Sequence, residues 1–283
     1  MRIPKYWAKG KLIKTGAENR KFDVVNWQSS DVSVDDARQK ALARAGEVAQ
    51  KILHGEPLDR YGYSDRPLRE EIKEGIQTVF RTEVAVVTRN AYGALVLNSS
   101  NAMFIDIDIP GMDKPRNKGK VGGGQESFSP DPYLPSVRKV EEWAGRHPEY
   151  GIRIYATYAG LRCLILNTVF EPKSDQASNI LQDLQSDPLY IRLCKAQECF
   201  RARLTPKPWR SGARQPRSRY PWENPRVESE YRQWEKQYDA ITAKYSTCRL
   251  IKQIGAPDVH PDIEPVLSYH DRVTRVESNL PLA

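Results

Sequence analysis

The chain has 283 residues, 39% hydrophobic and 28% charged, which is enough to bury a sizeable core and too apolar for a disordered polymer. Forty-four Lys and Arg stand against 36 Asp and Glu, and the resulting charge of +8 favours phosphate-rich partners. No apolar run nears the roughly 20 residues of a membrane helix, and the start MRIPKYWAKGKLIK has no apolar leader core. Cys163, Cys194, Cys199 and Cys248 fall in no metal-ligand spacing. The expectation is a cytoplasmic protein with reduced thiols and no membrane partner.

Taken in chain order, Ser33-Val-Asp-Asp36 is a capping-box-like start. An alanine-rich helix is expected over 34–54, stopping at Gly55. Residues 56–67 read as turns and 68–75 as a short helix. Strands are expected over 83–88 (EVAVVT) and 94–98 (ALVLN), joined at Asn90-Ala-Tyr-Gly93. Residues 103–109 (MFIDIDI) form the next strand. The stretch 110–136 contains Gly122-Gly123-Gly124, Lys114, Arg116, Lys118 and Lys120 and shows no periodicity. It reads as a disordered loop or as a cover over a phosphate-bearing ligand. A helix over 136–146 carries Val137, Val140 and Trp143. Strands over 152–158 and 161–167 turn at Ala159-Gly160, a helix over 175–196 breaks near Pro188, and 199–205 (CFRARLT) is a strand.

That order, β-α-β-β-α-β, is the ferredoxin-like or RRM-like unit. Its usual sheet has the first and third strands in the centre and the fourth beside the first. A helix over 228–245, a strand over 247–254 and a helical segment over 261–278 follow. The expected fold is α+β in three parts: a helical and β-hairpin extension over 1–80, the core over 81–210, and a basic linker with C-terminal helices over 211–283.

Alternation along MFIDIDI places Asp106 and Asp108 on one strand face with Phe104, opposite Ile105, Ile107 and Ile109. The same rule sets Arg153, Tyr155 and Thr157 against Ile152, Ile154 and Ala156, and Arg201 and Arg203 against Phe200 and Ala202. The predicted sheet has one apolar face under the two helices and one face rich in charge. Two carboxylates at i and i+2 need compensation. A divalent metal supplies it in phosphoryl-transfer sites, and Arg162 with Arg201 or Arg203 supplies it in a salt-bridged sheet. Between Phe200 and Trp222 there is no acid, but there are Arg201, Arg203, Lys207, Arg210, Arg214, Arg217 and Arg219, with Trp209, Tyr220 and Trp222 among them. The segment reads either as a solvated basic linker or as a surface for nucleic-acid backbone and bases. The remaining polar motifs read as structural. Arg89, Asn90 and Tyr92 belong to a hairpin, and Tyr269-His270-Asp271 to a salt-bridged helix surface.

Asp106-Ile-Asp108 at the end of a hydrophobic strand, then a helix, then the hairpin Thr157-Tyr-Ala-Gly-Leu-Arg162, resembles the archaeo-eukaryotic primase (primase-polymerase) superfamily over roughly residues 80–210. Asp106 and Asp108 match its first motif. Arg162 stands where the second motif has a phosphate-binding His, and Arg201 and Arg203 occupy the strand that would carry a third carboxylate. The resemblance implies a metal-dependent nucleotidyltransferase acting on nucleic acid. In it Asp106 and Asp108 hold Mg²⁺ or Mn²⁺ and are catalytic. Thr157, Arg162, Arg201 and Arg203 bind the nucleoside triphosphate. Lys207, Trp209, Arg210, Arg214, Arg217 and Arg219 track a single strand. Two alternatives stand beside it: a non-catalytic nucleic-acid-binding protein on the same fold, and a small-nucleotide enzyme or sensor.

Overall fold

The computed structural model describes residues 1, 3–16, 19–58, 68–112 and 131–283. The glycine-rich part of the loop after the acidic strand, and most of the turn-rich stretch ending at residue 67, lie outside the described residues. The chain divides into two compact units, Arg2–Glu71 and Ile72–Ala283.

In the smaller unit, β1 (Tyr6–Thr15) and β2 (Lys21–Ser30) form an antiparallel pair from Tyr6↔Ser30 to Thr15↔Lys21. Helix α1 (Val34–Leu53) follows. It starts where the capping pattern says: Ser33 Oγ accepts from the Asp36 amide at 3.1 Å. It stops at His54, and Gly55 takes φ +69°. Ala37, Ala41, Ala45 and Ala49 make one fully buried stripe, so the helix approaches the strands closely. A β-carbon at Gly10 would lie 2.4 Å from the Ala41 carbonyl carbon, so only glycine fits there. Residues 6–53 are therefore a strand pair followed by a helix. Both strands escaped the sequence analysis.

The larger unit runs β3 (Glu71–Gln77), β4 (Glu83–Arg89), β5 (Leu95–Ser99), β6 (Phe104–Asp108), α2 (Leu134–Arg146), β7 (Gly151–Thr157) and β8 (Gly160–Ile165). It continues through α3 (Asp175–Asp183), α4 (Pro188–Gln197), β9 (Phe200–Arg203), α5 (Pro208–Ser211), α6 (Pro225–Thr242), β10 (Cys248–Gly255) and α7 (Glu264–Thr274). The strand β3 replaces the expected helix over 68–75. Pairing with β4 overrides the local preference, and Gly75 would weaken a helix there. The result is a mixed α+β fold with antiparallel pairing throughout the registered strands. Among the described residues no helix is long and apolar enough to cross a membrane.

Two four-stranded sheets have the orders β10-β7-β8-β6 and β3-β4-β5-β9. The first and third strands of the expected unit, β6 and β8, do pair. The fourth does not lie beside the first as expected, because β9 pairs with β5 instead. Side chains satisfy the β6 edge in its place. Ser186 Oγ donates to the Asp106 carbonyl at 2.8 Å, and the Tyr190 hydroxyl donates to the Phe104 carbonyl at 2.9 Å. The same hydroxyl accepts from the Arg201 amide at 3.3 Å. A tyrosine thus bridges two strand edges that a regular sheet would join directly.

The apolar face of the first sheet lies under α2, α3 and α4, as alternation predicts. Ile105, Ile107, Ile152, Ile154 and Cys163 pack with Val137, Val140, Trp143, Ile180 and Leu181. The opposite face is not the charged surface expected. Phe104, Tyr155 and Leu164 join Val87, Leu97 and Ala202 of the second sheet and Val266 and Leu267 of α7 in a second core. The charged residues of that face are consequently desolvated wherever they fall inside it.

Candidate functional site

Asp106 and Arg162 are direct cross-strand partners on β6 and β8. Arg162 Nε donates to Oδ1 at 2.8 Å and Nη2 to Oδ2 at 3.1 Å, a two-point fork, while Nη1 donates to the Arg203 carbonyl at 2.8 Å. The Arg162 side chain is 2% exposed and that of Asp106 is 36% exposed. Burial works most strongly against the guanidinium charge, but the Asp106 carboxylate together with Cys248 and Tyr190 holds the pKa above its ordinary value.

The polar chain continues inward. Arg162 Nη1 lies 3.6 Å from Cys248 Sγ, which lies 3.8 Å from His270 Nε2. His270 Nδ1 is 2.9 Å from Asp271 Oδ1, which also accepts from the Tyr155 hydroxyl at 2.8 Å. Arg153 pairs with the other Asp271 oxygen. Cys248 and His270 are fully buried. Burial pushes the Cys248 thiol up to about 11, so it remains protonated at neutral pH. Burial, assisted by the Arg162 charge, holds the His270 imidazole below its ordinary value, with Asp271 pulling the other way. A thiol, an imidazole and a carboxylate in file suggest a nucleophile, but a protonated thiol sealed from solvent cannot meet a substrate. The chain is packing between β7, β8, β10 and α7. The surface expected at Tyr269-His270-Asp271 is thus corrected for His270, which faces the core.

Asp108 is exposed at the end of β6, opposite Gly160. A β-carbon on Gly160 would lie 2.0 Å from the Ile107 carbonyl oxygen, so glycine is required at this turn. Thr157 Oγ1 donates to the Gly160 carbonyl at 3.0 Å and closes the same hairpin. Both Asp106 oxygens already accept from Arg162, and Arg162 is too enclosed to swing away. Among the described residues no three His, Cys, Asp or Glu side chains converge as a metal site would need. As arranged, the acidic pair does not fit Mg²⁺ or Mn²⁺. Of the two compensations available to the acidic pair, arginine is the one Asp106 has.

A second group of side chains lies outside the core. Arg201 is tied to Gln197 Oε1 at 3.2 Å. Arg203 differs: its guanidinium reaches the Thr205 carbonyl at 3.4 Å, and no carboxylate among the described residues lies within ion-pair distance. Burial lowers its pKa and the like charges of Arg162 and Arg210 add to that, while Tyr92 and the Asp106 carboxylate pull the other way. Arg210 stacks over the Tyr158 ring at 4.3 Å. Trp209 is 51% exposed, meets Tyr92 edge-on at 5.4 Å between centroids, and has the Lys207 ammonium 5.6 Å from its ring. Tyr92 reaches this point from the β4–β5 turn, which Asn90 Oδ1 closes by accepting from the Tyr92 and Ala94 amides. Arg89, singled out with these two in the sequence, is instead buried against Glu235 and Asp239.

Residues 212–222 are not a solvated linker. The Trp234 indole donates to the Arg214 carbonyl at 2.8 Å. The rings of Tyr220, Trp222, Tyr231, Trp234 and Tyr238 follow one another at 5.1–5.4 Å, and Arg232 stacks on Trp222 at 4.4 Å. Trp234 packs where a side chain on Gly93 would be; a β-carbon there would lie 2.0 Å from its ring. The ladder fixes the backbone while Arg214, Arg217 and Arg219 project into solvent. None of the three has an ion pair with a described carboxylate. The structure therefore divides the sequence-predicted residues. Asp106, Arg162 and the Arg203 backbone form one hydrogen-bonded assembly around a buried guanidinium. Trp209, Lys207 and Arg210 gather at the hairpin turns, and Arg214, Arg217 and Arg219 line an ordered surface.

No protein-family model, no curated protein and no solved structure matches this chain.

Proposed function

We propose that this protein is a non-catalytic nucleic-acid-binding protein on a primase-like core, with the surface of residues 200–222 as its interface. The observation that carries the reading is the acid-free segment held on an aromatic ladder with Arg214, Arg217 and Arg219 exposed. An ordered backbone presenting cations without carboxylates of its own suits a phosphate backbone, because neutralising each phosphate releases a counterion. The two-point Asp106–Arg162 pair favours binding over catalysis, since it spends the carboxylate on the fold.

Metal-dependent nucleotidyl transfer through Asp106 and Asp108 is the second reading. The run of elements from β6 to β9 favours it, because it keeps the β-α-β-β-α-β order. It would require Arg162 to release Asp106.

Fluorescence anisotropy with a labelled single-stranded oligonucleotide tests the first reading. Binding should weaken with salt, and Arg214→Gln/Arg217→Gln/Arg219→Gln should reduce the log K against log [salt] slope by roughly 2, at about 0.7 per phosphate contact. Absence of binding at low salt, or an unchanged slope in the triple variant, overturns it. Nucleotide incorporation on a primed or unprimed template with Mg²⁺ or Mn²⁺, lost in folded Asp106→Asn/Asp108→Asn, would establish the second reading. Triphosphate binding without nucleic-acid affinity would point to a small-nucleotide sensor.

A further inference from the structure

We infer that Trp209 is a stacking platform for one unpaired base and Arg203 the seat of an adjoining phosphate, so that the surface selects single strands over duplex. The inference rests on the nucleic-acid reading above and specifies its ligand.

Two independent observations converge. The first is aromatic. Trp209 is half exposed, and Tyr92 meets it edge-on, which steadies the indole while leaving ring surface uncovered. Rigid exposed rings beside cations are where single-stranded nucleic acids stack their bases, since every base offers a π-face. In a duplex those faces are covered by neighbouring bases, so a flat platform can use only an unpaired one.

The second is electrostatic. Arg203 is partly enclosed, its guanidinium lacks a carboxylate among the described residues, and its near charged neighbours include two further arginines, Arg162 and Arg210. Both oxygens of Asp106, the acid whose charge reaches Arg203, accept from Arg162, so Arg203 has no described carboxylate in ion-pair contact. A partly desolvated cation facing like charges is unfavourable alone and is relieved by an anion. A phosphate presents two oxygens to a planar guanidinium fork. Arg203 lies on β9 directly across from Val96 of β5, and the turn that leads into β5 carries the Tyr92 ring that meets Trp209, so the two places flank one turn. An aromatic face and a guanidinium on either side of one turn are the parts that a base and its backbone phosphate require.

The test compares wild type, Trp209→Ala, Trp209→Phe and Arg203→Lys on three labelled probes of one length, about 20 nucleotides: oligothymidylate, the same length of duplex, and an abasic sugar-phosphate oligomer. Trp209→Ala should weaken oligothymidylate binding about 10-fold, within the range for losing one stacked base. It should leave duplex and abasic binding within about 2-fold, and Trp209→Phe should recover most of the loss. Arg203→Lys keeps the charge and loses the fork, so it should weaken oligothymidylate and abasic probes alike. Equal losses on all probes with Trp209→Ala, or no loss on any, overturn the platform. No effect of Arg203→Lys on the abasic probe overturns the phosphate seat. Wild type that binds none of the probes overturns the nucleic-acid reading itself. Binding with no preference for the single strand overturns only the present inference.

Discussion

Arginine does opposite work in two regions of the large unit. At Arg162 a carboxylate stands directly across the strand pair, the guanidinium is buried, and it donates to Asp106 and to the Arg203 carbonyl. At Arg214, Arg217 and Arg219 the side chains stand in water over a backbone that rings and an indole N–H hold in place. The first arrangement orders the fold, since a buried guanidinium must keep its carboxylate. The second keeps charge available to a partner. Net charge alone does not distinguish the two; the distribution of carboxylates does. The 23-residue stretch from Phe200 to Trp222 contains no acid and sets Arg214, Arg217 and Arg219 in solvent.

The sharpest way to break this comparison is to remove Asp106. Asp106→Ala strands the Arg162 guanidinium in the core, and urea unfolding should show a loss of about 3–5 kcal/mol. Asp106→Leu/Arg162→Met removes both charges and should recover most of it. A metal-ligand carboxylate behaves the other way: without its ion it repels its neighbour, and its removal stabilises the protein. A gain in stability for Asp106→Ala would therefore move Asp106 from the fold to a functional site.

The sequence made the framework of that pair legible, because period-2 alternation in MFIDIDI and in the β7–β8 hairpin puts Asp106 and Arg162 on one face. It did not show what covered that face. β9 is four residues long and could have extended either sheet edge; the choice of β5 depends on packing across more than a hundred residues. β1 and β2 carry lysine, glycine and asparagine where strand signals are sought, and their apolar partners lie on α1. His270 had a readable signal that its polar neighbours masked. Leu267, His270 and Thr274 share the i, i+3, i+7 stripe of α7 that is buried. In the basic segment, composition gave away the charge but not the order, since the ladder draws Tyr231, Trp234 and Tyr238 from a helix further along the chain.

A smaller effect separates the buried chain from the surface by pH. His270 titrates below its ordinary value in the folded protein. Between the unfolded value near 6.5 and that lower folded value, the unfolded chain binds a proton that the folded chain refuses. Its contribution is fully present above about pH 6.5 and is lost as the pH falls through that window, by at most about 1.4 kcal/mol per unit. His270→Gln removes this slope at the expense of baseline stability. A slope unchanged in that variant would mean that His270 is not the group held neutral by the core.

The smallest effect is expected where binding should suffer most. The triple variant Arg214→Gln/Arg217→Gln/Arg219→Gln should leave the unfolding free energy within about 0.5 kcal/mol of wild type. The reason is local. The segment's hold on α6 uses the Arg214 carbonyl and the Tyr220 and Trp222 rings, none of which the substitutions touch. The three guanidinium groups have no described carboxylate to lose, so their removal relieves mutual repulsion if it does anything. Arginine stems can also cover apolar surface, and here the competing surface would be the ladder itself. A loss above about 1 kcal/mol would mean that these stems roof the rings, making them part of the fold as Arg162 is. A neutral result with a reduced salt slope would separate the two kinds of arginine by two measurements of opposite sensitivity, one reading the core and the other the surface.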